Sequence, residues 1–555
     1  MLRLFDEHQV RPAHSLDGLW TLTVEDGSGR TFPAMVPGIW QAIPQLTLYR
    51  GKARYDRTFV TDKDENLLLR FSGVSHTADV VLDGETIGHH YDAFTGFRCA
   101  VAEVKAGTHT LTVYVDDSFS EASTLHLPND YYTYGGITRP VALEEIPAAY
   151  IDLMHFTPSR NEDGSWTGDV LVTVKAVADS PAGKLVITLA DGKAEADVPA
   201  LKAGEEHQAD VKLHCTDVTP WGLMDGHLYD LRAVLEVDGK AADDLIDRVG
   251  FRTVTLEGEK ILLNGKQVFL KGFNRHEDFG SQGCAVAMNA MMEDLHLMMD
   301  MGANSVRTCH YPNDPRFLDL CDALGIMVWE ECHSRAIPGE IMRKPLFKEQ
   351  IDGSAREMVV QHYNHPCIYT WGLLNECESE TEFGHSMYSH VIDLLHSLDK
   401  TRPVTFASCR FFKDVCLGLV DIASFNIYPL WYTTEDPSEY SDRLMQWMDE
   451  NGAAGKPIIF SEFGAGAIAG YHDPMYNAKW SEERQAEILD KQLKALCHKA
   501  RVSGTYIWQF ADVRVSEEWA MHRPKGVNNK GVVDMYRRPK LSYKTVKENY
   551  TGLDR

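Results

Sequence analysis

The chain has 555 residues, 44% of them hydrophobic, with 81 Asp and Glu against 55 Lys and Arg, a formal net charge of −26. That length exceeds one ordinary core and predicts two to four domains, while the negative charge excludes nucleic acid and an anionic membrane surface as partners, because both would be repelled. It weighs only lightly against an acidic substrate, since charges are screened beyond roughly 8 Å at physiological salt and a few local cations decide what a pocket accepts. The first residues, Met1-Leu2-Arg3-Leu4-Phe5-Asp6-Glu7-His8, lack the apolar core of a secretory signal, and no apolar run is long enough to span a bilayer, so a cytoplasmic protein without a membrane partner is expected. The 11 cysteines, scattered from Cys99 to Cys497 with no C-x-x-C pair, read as reduced and mostly buried rather than as a disulfide framework or zinc knuckle.

Up to about residue 147 the chain is a run of short alternating segments, among them Leu67-Leu68-Leu69-Arg70-Phe71 and His109-Thr110-Leu111-Thr112-Val113-Tyr114-Val115, separated by turn words such as Asp83-Gly84. This spacing predicts a jelly-roll β-sandwich over 1–147. A second block, 148–253, repeats the texture in Asp169–Val174, Lys184–Leu189 and Leu228–Leu235, and its length suits an immunoglobulin-like sandwich.

Beyond the turn at Asn264-Gly265, strands alternate with helices. Eight apolar strands are predicted: Val268–Lys271, Ser305–Thr308, Ile326–Trp329, Ile368–Trp371, Val404–Ala407, Ile422–Phe425, Ile458–Ser461 and Thr505–Trp508. Ser481 with Glu482 and Glu483 makes a helix N-cap and acidic first turn, followed by Leu489, Leu493 and Leu496 on one face. Eight strand-helix units over 254–555 predict a (β/α)8 TIM barrel, in which catalytic groups gather at the C-terminal ends of strands.

Two carboxylates fall there. Glu376, beside Asn375, follows strand four, and Glu462, in Ser461-Glu462-Phe463-Gly464, ends strand seven. Two acids facing one substrate are the minimal equipment for cleaving a glycosidic bond, one donating a proton and the other attacking or activating water. The residues alone leave open which acid does which. Glu330-Glu331-Cys332-His333 reads as a barrel-rim segment, and with no H-E-x-x-H and no cysteine cluster neither a metal nor a cofactor is expected. Gly464-Ala465-Gly466 lacks the third glycine and following helix of a nucleotide loop.

With these words in order, together with Val36-Pro37-Gly38, Tyr49-Arg50-Gly51-Lys52, Lys271-Gly272-Phe273-Asn274-Arg275-His276-Glu277-Asp278, Gly302-Ala303-Asn304-Ser305, Arg307-Thr308-Cys309-His310-Tyr311-Pro312 and Trp480-Ser481-Glu482-Glu483, nearly the whole chain resembles glycoside hydrolase family 2, and within it the β-glucuronidases. The resemblance implies a retaining mechanism with Glu376 as acid/base and Glu462 as nucleophile. It implies further that Asn375 binds the sugar 2-hydroxyl, that His310, Tyr428, Tyr432 and Trp508 line the pocket, and that Asp130 reaches it from the N-terminal sandwich. Arg275 and His276 are expected to support the site. Asn528-Asn529-Lys530 matches the glucuronidase Asn-x-Lys pair after strand eight, which implies that Asn528 and Lys530 hold the C6 carboxylate. An ammonium with an amide donor is also what selects a uronate physically, because an unpaired buried carboxylate is costly. Two other copies of that pattern, Asn264-Gly265-Lys266 and Asn477-Ala478-Lys479, read as a hairpin turn and a surface loop.

The chain departs from the family where Cys377 stands in place of a proline after the acid/base, where Phe463 stands in place of a tyrosine after the nucleophile, and in a short span from Glu330 to Gln361, which predicts a more open pocket mouth. The expectation is a retaining exo-β-glucuronidase acting on glycans or conjugates with a terminal uronic acid, assembled as a dimer or tetramer like its relatives. The alternatives are a β-galactosidase or β-galacturonidase of the same family, or a non-catalytic carbohydrate-binding protein.

Overall fold

The computed structural model describes residues 2–555. In the N-terminal sandwich, strands Thr31–Val36, Gly18–Val24, Lys52–Thr61, Gly107–Asp116, Thr77–Leu82 and Glu85–Tyr91 form an antiparallel six-stranded sheet. It faces a four-stranded sheet of Ala13–Ser15, Val141–Ile146, Glu65–Phe71 and Phe97–Val104. Leu111, Val113 and Val115 alternate into the core with Leu67 and Leu69 opposite. The unbroken Leu67-Leu68-Leu69 run has its own reason, since Leu68 turns the other way and packs against Ile146 and Tyr150, where the second sandwich begins. That second sandwich sets Ala149–Arg160, Trp166–Ala176 and Glu206–Cys215 against Gly192–Val198, Gly183–Leu189, Tyr229–Val237 and Lys240–Val249. Its core is the β-branched alternation of Val170, Val172 and Val174 against Leu185, Ile187 and Leu231.

Eight parallel strands then close into a barrel: Leu270–Asn274, Ser305–Thr308, Met327–Glu331, Ile368–Gly372, Val404–Ser408, Ile422–Asn426, Ile458–Phe463 and Val502–Ile507. All eight predicted strands are present, with two shifts. Val268 belongs to a preceding three-stranded sheet (Val254–Glu257, Lys260–Leu263, Lys266–Val268) whose tight turn is Asn264-Gly265, both at positive φ (51° and 76°), as a primed hairpin turn requires. Strand eight starts at Val502 and ends before Trp508, because buried Ser503 and Gly504 continue the ladder despite their low strand propensity. The helix Glu482–Leu496 is capped as expected, the Ser481 hydroxyl accepting from the Arg484 amide, and it buries Leu489, Leu493 and Leu496. The 11 cysteines are all free thiols, and nine of them, Cys284 and Cys409 excepted, are buried. Among the described residues no helix is long and apolar enough to cross a membrane.

Candidate active site

The chain turns sharply where strand four ends, with Leu374 at φ +40° and Glu376 at φ +53°, conformations that cost about 1–3 kcal/mol each for residues with a Cβ and concentrate at functional sites. The turn is held from two sides. Asn375 N donates to Ser334 O (3.1 Å) and Ala336 N to Asn375 O (2.8 Å), tying it to the loop after strand three, while Glu376 N donates to Ala407 O (3.0 Å) from strand five. The Glu376 carboxylate then accepts from Asn426 Nδ2 at 2.9 Å, and the Arg335 guanidinium stands 3.5 Å from its other oxygen.

Glu462 ends strand seven and is 4% exposed. Its two oxygens accept from Arg307 Nη1 (3.0 Å) and from the Tyr428 hydroxyl (2.7 Å). Burial and the nearby Glu376 charge push its pKa up to about 7, while Arg307 and Tyr428 pull in the opposite direction. A proton on Glu376 would remove the second of the raising causes, so the state in which Glu376 is protonated favours an ionised Glu462.

One network joins the two acids. Arg307, fully buried at the end of strand two, donates to Glu462, to Asn274 Oδ1 (2.9 Å), to both oxygens of Glu331 (2.7 and 3.0 Å) and to Asn375 Oδ1 (2.8 Å). Asn426 Nδ2 reaches the same Asn375 oxygen (3.3 Å) as well as Glu376, and Asn426 Oδ1 accepts from the Ser461 hydroxyl (2.8 Å). Glu331, in the segment read as barrel rim, closes strand three at that end of the barrel as a fully buried residue paired with Arg307 and with His310 Nδ1 (3.1 Å). A carboxylate in a buried strand is tolerable because its cation partner sits on the neighbouring strand. Arg307, Asn274, Asn426 and Arg335 were also unassigned from sequence, although Arg307 and Asn274 lie inside the motifs quoted for the family.

The remaining predicted residues fall around this centre. His310 is stacked on Trp508 (5.1 Å, 20°), and its pKa is held well below the usual value by burial and by Arg307, so the ring is neutral and can donate from Nδ1 to Glu331. Tyr428 packs edge-on to Tyr432 (5.2 Å), and Lys530 Nζ lies 5.6 Å and 5.4 Å from those two rings. Lys530 is 3% exposed, yet its ammonium meets no carboxylate among the described residues. Tyr432 differs from its neighbours in being 59% exposed, at the lip of the site. Asp130 does arrive from the N-terminal sandwich, but its carboxylate is engaged by Arg523, whose Nε donates to Oδ1 at 2.8 Å. Asn528 is fully buried, donating weakly to Asp130 O (3.5 Å). Arg275 is held by Asp294 (2.9 Å) and Asn313 (2.8 Å).

Asn375 Nδ2, His276 Nε2, Gln509 Oε1 and Asn528 Oδ1 are among the buried polar atoms without a hydrogen-bond partner. Such atoms are rare inside proteins, and a cluster of them marks a place built for a ligand rich in hydroxyls. An open groove of about 810 Å³ on the outer face of the N-terminal sandwich, lined by Leu19, Phe32 and Arg57, contains neither glutamate and has no comparable cluster.

A closed barrel with two acids at its C-terminal end, one on a strained turn and one clamped by arginine and tyrosine, defines a glycosidase. Residues 254–554 match the model of the TIM barrel domain of glycosyl hydrolases family 2, and residues 45–145 match the family's galactose-binding domain-like model. The chain belongs to glycoside hydrolase family 2. It is similar over its whole length to a β-galacturonidase from Eisenbergiella tayi solved with galacturonate (46% identity, TM-score 0.97, covering 100% of this chain and 99% of that one). It is 26% identical to a β-glucuronidase of Streptococcus agalactiae over 98% of this chain and 96% of that one, and 29% identical to a human β-glucuronidase over 98% and 91%.

Proposed function

We propose that this enzyme is a retaining, exo-acting β-uronidase. The observation that carries the uronate is Lys530, a buried ammonium over Tyr428 and Tyr432 with no anionic partner among the described residues. A sugar carboxylate supplies the missing anion. In this reading Glu376 protonates the glycosidic oxygen while Glu462 attacks the anomeric carbon, and Glu376 then takes a proton from the water that releases the sugar. Arg307 and Tyr428 keep Glu462 ionised and aimed. Asn375, with its Oδ1 occupied by Arg307, has its amide N–H free for the 2-hydroxyl, a hydrogen bond that strengthens as positive charge builds on the ring. Retention requires the two carboxyl groups to stand about 5–5.5 Å apart.

Two epimeric uronates compete for this pocket. The curated relatives favour glucuronide, the sugar expected from sequence; the full-length likeness at 46% identity to a protein named a β-galacturonidase, against 26% and 29% to those two β-glucuronidases, favours galacturonide. We therefore rank galacturonide first and glucuronide second. Parallel kcat/KM measurements on p-nitrophenyl β-galacturonide, β-glucuronide and β-galactoside test both steps. A galactoside preference would remove the uronidase reading, and a glucuronide preference would reverse only the ranking.

A further inference from the structure

We propose that Asp92, His126 and His333 form a binding site for one zinc-like divalent ion that clamps the N-terminal sandwich to the barrel rim beside the acids. The three come from separate segments: Asp92 just after strand Glu85–Tyr91, His126 from the long loop after strand Gly107–Asp116, and His333 just past barrel strand three. Each is at most 1% exposed, and their ligand atoms all lie within 4.8 Å of one another. Asp92 Oδ1 is 3.7 Å from His126 Nε2 and 3.5 Å from His333 Nδ1. Those separations are too long for hydrogen bonds and close to the edge of a tetrahedral zinc set, about 3.3–3.5 Å for bonds of about 2.0–2.2 Å.

The outer contacts orient both imidazoles for the task. His126 Nδ1 lies 3.1 Å from the Tyr91 hydroxyl and His333 Nε2 3.3 Å from the Tyr131 hydroxyl. Each tyrosine oxygen can accept the ring N–H, leaving the lone pair of the opposite nitrogen pointed at Asp92. His126 Nε2 already accepts a long hydrogen bond from Ala93 N (3.3 Å), which the ion would displace. His333 Nδ1 and Asp92 Oδ2 have no hydrogen-bond partner, and the Ser354 hydroxyl, equally unpartnered, faces Asp92 from the barrel helix Pro345–His362 as a further donor. Two imidazoles and one carboxylate suit zinc rather than magnesium or calcium, which prefer oxygen. The position gives the ion a consequence. Tyr131 follows Asn129, whose Oδ1 accepts from Arg335 Nη1 (2.7 Å), and Arg335 stands 3.5 Å from Glu376, so a clamp at His333 orders the wall of the acid/base.

The test uses the untagged full-length enzyme, stripped with a chelator and reloaded with Zn2+ or Co2+, followed by elemental analysis, the visible spectrum of the Co2+ form, and Tm. One ion per chain, a tetrahedral Co2+ spectrum, a rise in Tm and a gain in kcat/KM on reloading are expected, with the ion lost from Asp92→Asn and His126→Gln. Failure of the wild-type chain to retain Zn2+ or Co2+ overturns the proposal whether or not the variants fold. So does equal retention by folded variants, which would place the ion elsewhere, for instance at His276, Cys309 and His310 in the sugar pocket.

Discussion

Arg307 Nη1 lies 3.0 Å from Glu462 Oε1, and the same guanidinium holds both oxygens of Glu331. One buried cation thus serves two buried carboxylates, and its removal leaves both uncompensated. Breaking such a set costs about 3–5 kcal/mol, so Arg307→Gln should lower Tm by several degrees. It should also raise the acidic limb of the pH profile of kcat/KM, because in the proposed mechanism Glu462 must be ionised to attack and it has lost the group that favours its anion. An unchanged acidic limb in a folded variant would mean that Arg307 is structural only.

Stability carries a signature of the same residue. Burial and the Glu376 charge raise Glu462 to about 7, against an ordinary value of 4.5. The folded state therefore binds this proton more tightly than the unfolded chain. The stability that goes with it is fully present below pH 4.5 and is lost as pH rises through 7, on the order of 3 kcal/mol over the window. Glu462→Gln, which cannot ionise, should gain on the wild type steadily between those limits. Thermal melts of both proteins at half-unit pH steps check it; parallel Tm curves would contradict the raised value.

Lys530 should matter only for acidic sugars. Its ammonium has no carboxylate among the described residues, so Lys530→Met leaves no buried anion behind and should fold normally. With a uronide bound, the sugar carboxylate would lose its partner, a penalty on the order of 10²–10³-fold in kcat/KM. Activity on a neutral galactoside, however weak, should be unchanged or improved. Equal losses on both substrates would assign Lys530 to packing.

Much of the barrel was legible because buried parallel strands read as short apolar runs, as Ile458-Ile459-Phe460 and Ile422–Phe425 do. Strand eight begins at Val502, three residues before the apolar run that marks it in the sequence, since Ser503 and Gly504 carry no apolar signal. The two glutamates were legible from their place after such runs. Glu331 was not: its burial depends on Arg307, 24 residues away, and a single sequence does not reveal that pairing. The Asp130–Arg523 pair was hidden for the same reason, its partners being 393 residues apart on different domains. Tyr432 illustrates the reverse, an aromatic whose residue type suggests burial but whose position at the lip leaves it in solvent.

The division of labour between the acids makes a separable prediction. In the proposed roles, Glu376→Ala removes the proton donor and later the base but leaves the attacking group. A substrate with a good leaving group such as 2,4-dinitrophenolate needs no protonation, so it should still glycosylate Glu462 and then stall as the covalent intermediate. Azide, which needs no general base, should rescue turnover and give the β-glycosyl azide, the product of two inversions. Glu462→Ala should accumulate nothing, and azide acting in its place should give the α-azide by a single inversion. The electrostatics run the same way, because Glu376→Ala also deletes a charge that raises Glu462; the nucleophile in that variant should be ionised at lower pH, and its glycosylation rate should hold up further into acid than that of the wild type. Burst kinetics, mass spectrometry of the stalled enzyme and the anomeric configuration of the azide read each step, and an α-azide from Glu376→Ala would exchange the two roles.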